Sequence, residues 1–117
     1  MFIKIHKNGI APKYETPESI GANLCVSKPL ALDAGLHDVK LNFDITLEEG
    51  EIASVFIKKK LAKMGATLVH HLVEDIHAKR FSLLLDVRQS IVLPAYEPLA
   101  TMIISSHVRA PIFIDTI

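Results

Sequence analysis

Residues 65–104 read GATLVHHLVEDIHAKRFSLLLDVRQSIVLPAYEPLATMII, and the middle of this stretch decides the fold class. Phe81, Leu83, Leu85 and Val87 fall on one face of an extended segment, while Ser82, Leu84, Asp86 and Arg88 fall on the other. That is the period-two pattern of a half-buried strand. Arg88-Gln89-Ser90 forms a polar turn, Ile91-Val92-Leu93 opens a second strand, Pro94 to Pro98 breaks it, and Leu99 to Ile104 is a third apolar run rich in β-branched residues. Short strands punctuated in this way imply a β-sandwich or barrel.

Toward the N-terminus the same pattern continues. Leu41, Phe43, Ile45 and Leu47 alternate with Asn42, Asp44 and Thr46, which predicts another strand. Phe2 to His6 predicts a first strand, Asn8 to Pro17 is rich in turn residues, and Leu30 to Leu36 carries an apolar patch before a turn at Gly35. Between Gly50 and Gly65, local signals favour a helix: Glu51 at the start, apolar Ile52, Val55, Phe56 and Ala62, four lysines toward the end, and a closing glycine.

The chain has 117 residues, half of them hydrophobic, which suits one domain burying roughly two-thirds of its unfolded surface. Thirteen basic residues balance thirteen acidic ones, an expectation against nucleic-acid or anionic-membrane partners, whose recognition rests on excess Lys and Arg. With so little net charge on so apolar a chain, part of the surface is expected to be covered in an assembly. No run of 18 apolar residues and no charged-then-apolar leader is visible, so the expected location is cytoplasmic or virion-associated. Cys25, the single cysteine, is expected to be a small buried residue.

His70, His71 and His77, with Glu74 and Asp75 between them, offer zinc-type ligands. Their spacing suits a helix face, whereas the segment reads as a strand or hairpin whose alternate residues point apart, so no metal ligand is assigned.

The stretch from Gly65, with H-L-V-E-D-I-H-A-K-R-F-S-L-L-L, resembles the G-V-I-D-x-D-Y-x-G-E-I-x-V-x-L segment of the trimeric dUTPase and dCTP deaminase family. Leu72, Val73, Phe81, Leu83 and Leu85 stand at that segment's buried positions. Ser19 to Leu24 is similar to the family's S-A-G-x-D-L motif, with Asn23 in place of aspartate, and Leu61-Ala62 keeps the end of P-R-S-x-L-A. The resemblance spans about residues 16 to 117. It implies an all-β domain over 1–117, a distorted dUTPase-like barrel or jelly roll, with Glu51 to Ile57 a strand and at most one short helix around Lys59 to Met64. One consistent apolar frame over most of the chain outweighs the local helix signal.

The resemblance further implies a homotrimer, with residues 105–117 a C-terminal strand exchanged between subunits through Ile112, Phe113 and Ile114. At the functional positions the letters differ. Glu74 stands at the place of the water-activating aspartate, His77 at the tyrosine that stacks on the sugar, and His71 at the glycine beside which the base lies. Lys79 replaces a second glycine, Tyr96 the glycine of the fourth motif, Pro98 and Thr101 its arginine and glutamine, and Leu84 the deaminase's catalytic glutamate. The glycine-rich closing motif is not found before Ile117.

These differences lead to an expected non-catalytic trimer with no catalytic, cofactor-binding or metal residues assigned and no cofactor. Its expected role is a structural or protein-binding module, one specific version being a viral capsid decoration protein. The alternative is a divergent nucleotide enzyme or sensor with Glu74 as base and Lys58 to Lys60 on the phosphates.

Overall fold

The structure is a computed structural model and describes residues 1–73, 76–106 and 111–116. In chain order the strands are β1 (Phe2–Ile5), β2 (Lys13–Tyr14), β3 (Ala22–Leu24), β4 (Leu30–Leu32), β5 (Gly35–Lys40), β6 (Phe43–Thr46) and β7 (Glu51–Ile57). A helix α1 (Lys59–Lys63) follows, then β8 (Ala66–Leu68), β9 (His77–Ala78), β10 (Ser82–Val87), β11 (Ile91–Leu93) and β12 (Ala100–Ser106). The expected all-β jelly roll with one short helix is what forms. Among the described residues no helix is long and apolar enough to cross a membrane.

The strands make four antiparallel groups, ordered β1-β6-β9, β5-β10-β8, β11-β4 and β2-β3-β12-β7. Alternation sets which face each strand buries. Leu83, Leu85 and Val87 of β10 point inward while Leu84 and Asp86 face out, and Phe43 and Ile45 of β6 are wholly buried. Phe43 stacks on Phe81 with ring centroids 5.8 Å apart. The core they share with Leu24, Leu41, Val55, Leu99 and Met102 contains no buried polar or charged residue among those described. Such a core is stabilised by removal of apolar surface from water rather than by internal polar networks.

The local helix signal over 50–65 is overridden for its first half because β7 lies beside β12, pairing Glu51 through Ile57 with Ser106 through Ala100. Only α1 remains helical, five residues long with no side-chain N-cap, and Leu61 is its one buried anchor. The patch expected over 30–36 divides into β4 and β5 because Gly35 takes φ +130°, a backbone conformation that other residues rarely adopt.

Candidate functional site

β8 runs antiparallel to β10, and the chain then passes from β10 to β7. Val55 N–H donates to the His71 carbonyl at 2.7 Å, and Val73 N–H to the Ala53 carbonyl at 3.0 Å, which ties 71–73 to β7. After Glu74 and Asp75, which lie outside the described residues, Leu47 N–H donates to the Ile76 carbonyl at 2.8 Å and β9 joins the edge of β6. Between these two arms lies a groove of about 250 Å³, walled by His70, Leu72 and Val73 on one side and by residues 78–82 on the other.

The outer wall is positively charged, since Lys79 and Arg80 lie there side by side and exposed. Arg80 has φ +52°, and its N–H donates to Asp44 Oδ1 at 2.8 Å. The same oxygen lies 2.9 Å from His6 Nε2. The Arg80 N–H, and after it the His6 side chain, hold the Asp44 carboxyl below its ordinary value. Asp44 thereby fixes the turn that presents Lys79 and Arg80.

His71 stands where the resemblance places the glycine beside which the base lies, and a side chain turned into the groove there would fill that space. The imidazole turns away instead: Nδ1 lies 3.3 Å from the Val55 carbonyl oxygen, and His71 is absent from the groove lining. The lysine run lies elsewhere in the chain's own fold. Lys58 N–H donates to the Leu99 carbonyl at 2.9 Å, Lys60 Nζ pairs with Glu97 at 2.7 Å, and none of the three lysines lines the groove. His77, at the tyrosine position, sits exposed in β9, while Thr101 pairs with Asn23 and Phe56 in the sheet. Tyr96 takes φ +65° in the loop before β12.

Cys25 is half-buried rather than buried, and lines a mostly apolar recess with Ile10, Ala11, Lys13, Tyr14 and Asn23. Burial raises its thiol pKa, with Lys58 pulling the other way. That recess holds no histidine to activate a thiolate. Among the described residues no three His, Cys, Asp or Glu side chains gather as a metal site. Sequence reasoning gave Arg80 no role, because its place beside the groove follows from an Asp44 bond that spans 36 residues.

A search against protein-family models gives no match, and neither does a search of curated proteins. Solved structures do match. The chain is similar to the dUTPase of Staphylococcus bacteriophage 80alpha, with a TM-score of 0.80 and 10% identity over 98% of this chain and 94% of that one. It is similar to the dUTPase of Streptococcus mutans, with a TM-score of 0.70 and 17% identity over 93% and 98% of the two chains. With the EIAV dUTPase the TM-score is 0.75 and the identity 18%, over 99% of this chain and 100% of that one.

The fold is therefore dUTPase-like, as the resemblance implies. The expectation that the chain is not an enzyme is overturned by the same finding: these solved structures, which share its fold over nearly its whole length, are dUTPases. A changed letter at a motif position does not by itself close the site, since His71 leaves the groove beside it open.

Proposed function

We propose that the chain acts as a homotrimer that takes a deoxynucleoside phosphate of the dUTP kind into the groove between 70–73 and 78–82. The observation that carries this reading is that the groove stays open although histidine replaces glycine at 71, because the imidazole folds against Val55. Apolar Leu72, Val73 and Phe81 offer contact to a base and sugar, and Lys79 and Arg80 offer positive charge to phosphate. Glu74 is the general base in this reading, by its place in the motif. Lys58 to Lys60 reach phosphate only from a neighbouring subunit, since they do not line the groove of their own chain. The location that goes with this reading is the cytoplasm.

A second reading is favoured by a separate observation. Ile112, Phe113 and Ile114 are 85–89% exposed, an apolar run without cover among the described residues. In this reading the trimer is a protein-binding module, a capsid decoration protein in its specific version, found on a virion and using such surfaces to hold its partner.

Native mass spectrometry of the whole chain with and without dUTP, dCTP and magnesium separates the two. Three nucleotides per trimer, with turnover abolished in Glu74→Gln, is the outcome expected for the first reading. A trimer that takes up no nucleotide overturns it and leaves the second.

A further inference from the structure

A larger cavity, of about 360 Å³, shares none of the groove's lining residues and meets it where Ser82 of β10 pairs with Lys40 of β5. It runs along β5, which stands at the edge of its sheet with β10 on one side only. In an antiparallel ladder alternate residues of such a strand turn their N–H groups away from the partner. The cavity floor is apolar, made by Val26, Leu30, Leu32 and Val39. Its rim is polar and carries two cations, Lys28 and Lys40, one carboxylate, Asp38, and the neutral or titratable side chains of Asn8, Asn42 and His37.

The walls are set before any ligand arrives. Ser27 Oγ donates to the Asn8 carbonyl at 2.9 Å, joining the loop after β3 to the loop after β1. His6 N–H donates to the Asn42 carbonyl at 2.9 Å, and both Asn8 and Asn42 take positive φ, so two left-handed turns are locked together. His37 Nε2 is held 2.6 Å from the Asp33 carbonyl. Asp38 accepts a hydrogen bond from Ser82 Oγ at 2.6 Å, which occupies its carboxylate on the β10 side. The Lys28 and Lys40 ammonium groups make no ion pair or hydrogen bond with a described residue. Two cations without an ionic partner among the described residues, over an apolar floor of small-molecule size, are the chemistry of an amphiphilic anion site.

We propose that the cavity along β5 binds a small organic anion, its carboxylate or phosphate meeting Lys28 and Lys40 and its apolar body lying on Val26, Leu30, Leu32 and Val39. The size of the cavity selects a single small molecule over a folded partner. This site stands whether or not the groove takes a nucleotide.

The test is nitrogen-15 amide NMR of the whole chain titrated with phenyl phosphate, with benzoate and with neutral benzyl alcohol. Saturable shifts are expected at the amides of Val26, Ser27, Lys28, Leu30 and residues 37–42 for both anions, with the alcohol binding more weakly. Preference for phenyl phosphate over benzoate identifies the anion as a phosphate, and the reverse as a carboxylate. The double variant Lys28→Ala, Lys40→Ala should weaken the anions about tenfold or more while leaving the alcohol unchanged. A spectrum of that variant matching wild type elsewhere shows that it is folded. Equal binding of anion and alcohol, equal binding by the variant, or no shifts in 26–42 overturns the proposal, the last being the result if a second copy or an added strand covers β5. Nucleotide binding in the groove reads out separately, at amides of 70–73 and 78–80, which do not pair with β5.

Discussion

Asp44 carries on one oxygen both the Arg80 N–H and the His6 imidazole, and the cost of protonating it appears in the pH dependence of stability. Its folded pKa is lowered, so its contribution is fully present above the ordinary carboxylate value and is lost as pH falls through the lowered one. Glu51 behaves in the same sense, its carboxyl held down first by the Glu48 N–H and then by the amino group of Met1. Urea midpoints measured from neutral pH down into the acid range should therefore fall below the ordinary carboxylate pKa. The fall should be shallower in Asp44→Asn, and a variant with unchanged acid slope would remove Asp44 from this account. In the core, Phe43→Ala takes a wholly buried ring off Phe81 and should cost about 3–5 kcal/mol by urea unfolding. Gly9→Ala drives a methyl group into the Asn42 carbonyl oxygen and should cost about 1–3 kcal/mol, because backbone cannot step aside as a side chain can.

At the scale of elements, α1 hangs on one residue. It has no side-chain cap and buries only Leu61, so Leu61→Ala should cost about 2–5 kcal/mol. Hydrogen exchange should show the loss first at the amides of 62–65. Strands whose two faces differ were legible in the sequence: β6 and β10 follow from the alternation around Phe43 and Leu85, because a sheet with one wet face writes its register into every second letter. The boundary between β7 and α1 was not legible from local propensity. It depends on β12, some fifty residues further along, which takes Glu51–Ile57 as its partner. The groove was legible only in outline. The hairpin could be placed by its apolar frame, but the rotation of His71 toward Val55 is a packing event with no signature in the letters. The β5 cavity was invisible, since Asn8, Lys28 and Lys40 meet only when three separate loops and strands close on one another.

For the whole molecule, exposed Phe2, Ile20, Leu36 and Val92 leave more apolar surface on the described chain than a neutral protein tolerates alone. Sedimentation or light scattering should find the homotrimer at micromolar concentration, and a monomer there would remove the shared-site geometry on which the lysine run depends. In the four-stranded sheet, β12 sits between β3 and β7 and supplies both with their inner partner. During synthesis, then, β3 and β7 wait with open edges until residue 106 has cleared the ribosome, and nothing upstream can complete that sheet sooner. The other three groups hold no residue beyond Leu93, so the four-stranded sheet is the last to close, as expected of its distant pairings. A nascent chain stalled before Ala100 should stay protease-sensitive at 22–24 and 51–57, the strands whose β12 edge is still open.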